Sequence, residues 1–434
     1  MGRERPRRMS RWVWEHREQG LWLCVAALAL LVAVDMARVW RATNHHDLDV
    51  FVLAARRLAA GEDIYADTAR FQAALEGGTF SMKDTTVVWP YAYGPLIAML
   101  FVPALGVPYG LVQASWWGSN VVALLLGSWL TLRAMGRVTP GRVALVLLML
   151  YRFEPAVVAL RLGQIELVQY LLLAFSLYAL SRSWEGRAGV ALGLAAGLKF
   201  VPAGLIALLL WRRRWRAAGW ATATALVVTV GSFVLVGADA LRRYLSFTAI
   251  YGIGGAFAAF PLNQSLNGFF SRNLVRNVFS ATLKGWDLPW LARGLIVAGD
   301  ALFILTSACL TWRHEGWAEA AEAGGAKRFN LEFALSVVAL LLVSPHAQVY
   351  TFVWALVAFI ALASWLLDRE GARWWMWGAL LVAYLLVGRN VVFFHPGVTR
   401  FVQSHYLFGA LLAWGLLAWT LHQGRASGKR DLAP

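Results

Sequence analysis

In the segment NHHDLDVFVLAARRLAAGEDIYAD, Asp47 and Asp49 head an amphipathic stretch that closes at Gly61, directly after the first long apolar run. A carboxylate held at the edge of a membrane can serve as a general base and take the proton from an incoming hydroxyl. The same spacing also suits an Asp N-cap on an interfacial helix. His45 and His46 stand beside the two carboxylates, but adjacent helical residues point to different faces and the sequence offers no other ligand cluster. No metal site and no cofactor are expected.

Lys199, in GLAAGLKFVPAG, is the sharpest single signal. A lysine in the middle of an apolar segment costs roughly 2.5–3.5 kcal/mol to insert, so it must face a partner or a ligand. An ion pair with Glu166 or Glu154 satisfies it, and so does a lipid phosphate. The stretch ALRLGQIELVQ puts Arg161, Gln164 and Glu166 between two apolar runs, where polar groups should line a cavity. Farther on, FPLNQSLNGFFSRN groups Asn263, Gln264, Ser265, Asn267 and Arg272. Amides of that density suit sugar hydroxyls, and a guanidinium suits phosphate; an ordinary capped polar loop explains them as well. His346 and Tyr350, in LLVSPHAQVY, mark a hinge between two apolar runs.

The elements that must hold these groups are membrane helices. Of 434 residues, 59% are hydrophobic and 15% charged, against about 45–50% and 25% in a soluble domain. The 23 tryptophans suit membrane interfaces. The net charge of +16 does not indicate nucleic acid, because the basic residues form short clusters between apolar runs. Cys24 and Cys309 both fall inside such runs, so no disulfide framework is implied. There is no phosphate-cradling Gly-Lys-Ser loop and no cytoplasmic nucleotide domain, which argues against an ATP-driven pump or a nucleotide-sugar enzyme.

Apolar runs near the roughly 20 residues needed to cross the hydrocarbon core fall at about 21–41, 111–134, 142–160, 163–182, 217–237, 289–312, 329–345, 347–367, 374–390 and 401–423. Clusters such as Arg212, Arg213, Arg214 and Arg216, or Lys327 and Arg328, alternate correctly if the basic N-terminus (1–20) and the tail (424–434) are cytoplasmic. The first long polar segment (42–92) and the second (238–288) then lie outside. Residues 95–107 are too short to span, and 188–211 suits a hairpin of two short helices turning near Lys199 and Pro202, where proline breaks the helix. The expectation is a single all-α polytopic membrane domain over 1–434, with about 10 to 12 transmembrane or re-entrant helices and amphipathic helices in the first external loop.

Taken in order, DLDVF with AARRLAAGEDIY, YGPLIAMLFVPAL, GQIEL, GLAAGLKFVP followed by RRRWR, NQSLNGFFSR and SPH resemble glycosyltransferase family 87, the polyprenyl-phosphomannose-dependent alpha-1,2-mannosyltransferases of the glycosyltransferase-C superfamily. The resemblance implies that fold. It also implies a catalytic base at Asp47 rather than Asp49, from the pattern of Asp, two residues, Val and an aromatic. Lys199, Arg272 and His346 would surround the donor phosphate or the acceptor, with Asp49, Gln164, Glu166, Asn263, Gln264 and Tyr350 left for the sugar and acceptor. The partners it implies are a polyprenyl-phosphate-linked sugar, a glycolipid or glycan acceptor and membrane lipids, with the site on the extracytoplasmic side of a bacterial-type plasma membrane. Phe51 stands where Tyr is common, Gly94 where a first Pro is common, and Glu166 where Asn is usual.

The implied reaction is a single inverting displacement moving a hexose, mannose first among candidates, to an acceptor hydroxyl. Arabinofuranosyl transfer from the corresponding donor is the near alternative. A transporter or flippase for lipid-linked sugars should show duplicated halves, and no repeat of the outer loops or of the Lys199 hairpin occurs at a fixed offset.

Overall fold

The computed structural model describes residues 5–77, 79–80, 89–279, 287–312, 325–369, 373–389 and 402–430. The polar stretches 81–88, 280–286 and 313–324, the turn at 370–372 and the tail residues 431–434, all read as loops or tails from the sequence, lie outside the described residues. So do 1–4 and 390–401.

Among the described residues the fold is helical throughout, and the sole strand-like feature is an isolated antiparallel bridge between Asn263 and Gln348. Five helical stretches are long and apolar enough to cross a membrane: Glu18–Arg41, Trp215–Val236, Pro289–Thr311, Val349–Asp368 and Val402–Gln423. They divide by burial. The stretch Val349–Asp368 is 94% buried within the protein and forms the axis of the bundle, whereas Glu18–Arg41 and Trp215–Val236 are only 17% buried. A helix that is apolar all round yet exposed on most of its surface is a lipid-facing helix.

The expected crossing at 142–160 is a broken one. Helix α6 (Pro140–Leu150) meets α7 (Glu154–Leu162) at 58°, and Arg152 at the break adopts a left-handed φ of 51°. With that pair counted as one, the long spans number six among the described residues. The expected crossings at 111–134, 163–182, 329–345 and 374–390 coincide with α5 (Tyr109–Ala134), α8 (Glu166–Ser181), α15 (Gly325–Val343) and α17 (Trp374–Gly388). Of these, α8 has 16 residues and α17 has 15, or about 24 and 22 Å at 1.5 Å per residue. Both fall short of the roughly 30 Å hydrocarbon core.

The stretch at 188–211 does form two short helices, α9 (Glu185–Leu198) and α10 (Gly204–Trp211), separated by a 3-10 turn at Val201–Ala203. Its two ends meet: Arg214, just past α10, pairs with Glu185 at the start of α9 at 3.5 Å. Lys199 therefore sits at the tip of a hairpin. What holds α9 in place is a stripe of glycines facing α11 (Trp215–Val236). A Cβ on Gly189 would lie 2.3 Å from the Ala217 carbonyl, and one on Gly193 would lie 2.5 Å from that of Ala221. Small residues four apart let two backbones approach in lipid, where dispersion rather than water drives the contact.

The charged loops collect at one end of the bundle. There Arg212 and Arg328 both engage the buried Glu332, and Arg142 and Lys327 both engage Asp368. The other end carries the amphipathic α2 (His46–Ala59), which buries Leu48, Phe51, Val52, Ala54 and Ala55, and α3 (Thr68–Glu76). Beside them lie the short α4 (Pro95–Phe101) with its 3-10 extension to Gly106, and α12 (Ala238–Thr248) and α13 (Leu266–Leu274) of the second polar segment.

Candidate active site

The site is assembled from the start of α2, the turn between α7 and α8, the hairpin tip and the loop before the axial helix. Gly163 closes α7 with a left-handed φ of 74°, and a Cβ there would lie 2.9 Å from the Leu48 Cβ. Glycine meets both demands, for it carries no penalty at positive φ. The Arg161 carbonyl accepts from the backbone amides of Asn44 and His45, at 3.2 and 3.0 Å, which docks the entry to α2 on the same turn. His45 itself is held at φ 51°, a conformation uncommon for a non-glycine residue. The result is that Gln164, next after Gly163, faces Asp47: its amide nitrogen donates to Asp47 Oδ2 at 2.5 Å.

From Gln164 the network runs inward. Tyr93 donates its phenol to Gln164 Oε1 at 2.8 Å, and the Tyr65 phenol donates to the Tyr93 carbonyl at 2.7 Å. The Tyr93 ring faces the Lys199 ammonium, 5.6 Å away, and the Tyr350 ring faces it at 5.4 Å. Lys199 Nζ lies 2.5 Å from Glu166 Oε1; the glutamate side chain is fully buried, whereas the lysine side chain keeps 21% of its surface. The cation thus has a carboxylate on one side, two aromatic faces flanking it, and a remaining open side.

His346 joins from the loop before the axial helix. Its ring packs on Tyr251, Phe257 and Phe260 with centroids at 4.6, 5.6 and 6.4 Å, and its Nε2 lies 2.7 Å from the Gln348 amide nitrogen. Burial, with Lys199 and Arg272 adding to it, holds this imidazole well below its ordinary value, hence neutral. A neutral ring that accepts at Nε2 carries its proton on Nδ1. Trp89 packs on Phe257, Phe260 and the His46 ring, completing a wall of rings from His346 to the start of α2. There the Asp47 carboxylate, 3.5 Å from His46 Nδ1, raises the His46 imidazole above its ordinary value.

The structure brings Asp47, Gln164, Glu166, Lys199, Tyr350 and His346 to one end of the bundle. Asp49 points elsewhere: it is exposed on α2 and accepts from the Tyr109 phenol. Asn263, Gln264 and Arg272 lie close behind His346, buried and engaged with backbone. The Asn263 amide donates to the carbonyls of Ala258 and Pro345, and its oxygen accepts from Ala347 N and Ser265 Oγ. Gln264 N donates to the Ala347 carbonyl at 2.8 Å, and Val349 N to that of Leu262 at 3.1 Å. Arg272, 2% exposed, donates to the carbonyls of Phe260 and Asn263 and to Ser404 Oγ. These residues staple the second polar segment to the His346 loop. Sequence reasoning did not single out Tyr65, Tyr93 or Tyr251. Among the described residues no group of three or more His, Cys, Asp or Glu could hold a metal.

The profile of Glycosyltransferase family 87 matches residues 91–327, which include Tyr93, Gln164, Glu166, Lys199 and Arg272. The chain belongs to glycosyltransferase family 87. A "polyprenol-phosphate-mannose-dependent alpha-(1-2)-phosphatidylinositol pentamannoside mannosyltransferase" of Mycolicibacterium smegmatis is 32% identical over 429 residues, covering 93% of each chain. Its namesake from Mycobacterium tuberculosis strain CDC 1551 is 28% identical over 406 residues, covering 90% of this chain and 84% of its own. A phosphatidylinositol mannoside mannosyltransferase of M. tuberculosis strain H37Rv is 26% identical over 66% of this chain. No solved structure matches the chain. Asp47 and His346 lie outside the stretch matched by the family 87 profile, so their placement beside Gln164 and Lys199 is information from the fold.

Proposed function

We propose that this family 87 glycosyltransferase moves mannose from a polyprenyl-phosphate carrier to a hydroxyl of a glycolipid acceptor, with inversion at the anomeric carbon. One observation carries the reading: a carboxylate on α2 and the ammonium at the hairpin tip are joined through Gln164 and Tyr93 into one cluster. Asp47 takes the proton as the acceptor oxygen forms its bond to the anomeric carbon, and the bond from that carbon to the phosphate oxygen breaks. Phosphate leaves with the electron pair and needs no obligatory general acid, unlike the leaving group in glycoside hydrolysis. Lys199 meets the charge growing on that phosphate, in surroundings where a fixed cation is worth more than in water. His346, held neutral, offers a hydrogen bond rather than a charge.

Arg272 then acts from behind, orienting the His346 loop together with Asn263 and Gln264, and Asp49 orients α2 through Tyr109. The overall reading is a glycosyltransferase-C fold of 10 to 12 transmembrane or re-entrant helices. The basic end is cytoplasmic and the cluster extracytoplasmic, a sidedness supported by the gathering of the charged loops at one end. Transfer of mannose from a synthetic polyprenyl-phosphate donor to phosphatidylinositol mannosides, by purified protein in detergent, tests the reading. Mannose transfer by wild-type protein and its loss in Asp47→Asn are expected. Selective use of polyprenyl-phosphate arabinofuranose overturns the choice of sugar, and normal turnover by folded Asp47→Asn overturns the choice of base.

A further inference from the structure

At the basic end of the bundle, far in the fold from the Lys199 cluster, a cavity of about 380 Å³ opens between the first turn of α15, the end of α16 (Ala355–Asp368) and α18 (His405–Arg430). That volume lies in the range of small-ligand pockets, roughly 300–1,000 Å³. Its inner wall is apolar, formed by residues such as Met135, Leu331, Ala361 and Leu421. Its mouth carries Lys327, Arg328 and Arg369 against a single carboxylate, Asp368.

These charges are not equally committed. Asp368 is held by Arg142 and by Lys327, the latter at 3.2 Å. Arg328 pairs with Glu332 at 2.9 Å. Arg369 has no carboxylate within ion-pair reach among the described residues; its guanidinium rests 4.9 Å above the Trp365 ring, and the residue is exposed. The lining is left with an excess of positive charge. Exposed tryptophans at this end, Trp312 at 54% and Trp374 at 86%, set it at the level where indole rings meet lipid headgroups.

We infer that this cavity binds an anionic phospholipid, its phosphate on Arg369 and Lys327 and its glycerol and upper acyl chain along the apolar wall. Basic pockets between helices at the headgroup level favour such lipids. The apolar wall distinguishes a lipid from a soluble anion, which would leave that surface wet. The site does not rest on the sugar-transfer reading, because it shares no residue with the cluster.

The test uses full-length protein in nanodiscs of phosphatidylcholine alone or with phosphatidylglycerol, read by thermal melting and by native mass spectrometry of the lipid retained after detergent extraction. Wild-type protein is expected to melt higher with phosphatidylglycerol and to retain it. Arg369→Gln and Arg369→Glu, at an exposed position that the fold tolerates, should bind it on the order of fivefold more weakly or worse, while Arg216→Gln, an exposed arginine of the same end outside the cavity, should match wild type. Equal retention in all four proteins overturns the proposal, as does a melting shift reproduced by millimolar inorganic phosphate in phosphatidylcholine alone, which would mark a soluble-anion site.

Discussion

Changing Lys199 to Met separates the two roles that its position combines. Glu166 is fully buried and its partner is Lys199, at 2.5 Å, so removing the ammonium strands a carboxylate in the protein interior. Breaking a buried pair in this way costs about 3–5 kcal/mol. Glu166→Gln is gentler: the lysine keeps 21% of its side-chain surface and two aromatic faces, each worth about 0.5–1 kcal/mol or more, so a cost near 1–2 kcal/mol is expected. Combining the two changes removes both charges and should bring stability back to within about 2 kcal/mol of wild type. Activity follows another order. Lys199→Met and the double variant should both lose about 10²–10³ in kcat, the scale of removing one preorganised group from a developing charge, whereas Glu166→Gln should stay within about tenfold of wild type. Melting midpoints and initial transfer rates from the same detergent preparations give both readings. A double variant that regains stability and turnover together would falsify the catalytic role of Lys199, and a single Lys199→Met variant as stable as wild type would show that the pair carries no weight.

Asp47→Asn preserves an oxygen for the Gln164 amide, so it should fold normally while losing about 10²–10⁴ in transfer rate, the usual worth of a general base. Tyr93→Phe deletes the phenol bonded to Gln164 and should cost about 1 kcal/mol in stability with a measurable fall in kcat, because Gln164 loses one of its two fixed contacts. His346 lies below its ordinary value of 6.5, so the unfolded chain binds the proton first as pH falls. The contribution of His346 to stability should therefore be constant above about pH 7 and decline from about 6.5 downward, with a slope of at most about 1.4 kcal/mol per unit; melting curves of His346→Gln should show a shallower decline than wild type over that range. Gly193→Val should destabilise by at least about 1–3 kcal/mol by pushing α9 off α11, while Gly219→Ala, where a Cβ meets nothing within 4 Å, should melt as wild type.

Much of the architecture is written locally in the chain. Apolar run length and basic clusters are short-range signals, and the hairpin at 188–211 followed from two basic flanks only about 24 residues apart combined with a proline. Lys199 stood out because charge in an apolar run is costly wherever it occurs, and Glu166 was one of two carboxylates able to meet it. What the sequence could not show is which polar groups are consumed by the protein itself. Asn263, Gln264 and Arg272 look alike as polar residues of one segment, but each is engaged with backbone of the 258–272 and 345–347 segments, Arg272 with Ser404 as well, pairings fixed by tertiary contact. The link from Asp47 to Gln164 spans 117 residues, and the Gly163 turn that creates it carries no periodic signal. The break at Arg152 was legible but overlooked: Arg152, Glu154 and Pro155 interrupt the apolar run, and Pro155 at the first turn of α7 is a helix-start signal.

The Glu185–Arg214 closure of the hairpin bears on how the protein is made. A segment that enters and leaves at the same end has no translocated terminus, so the secretion channel cannot set it by handing a loop across. The hairpin lies along two neighbours: α8, already synthesised, and α11, still to emerge when α9 leaves the ribosome. Lys199 would thus be delivered by assembly rather than by insertion, with the glycine stripe as its docking rail. Variants of that stripe should accumulate as inserted but protease-sensitive chains, which is a defect of biogenesis rather than of catalysis.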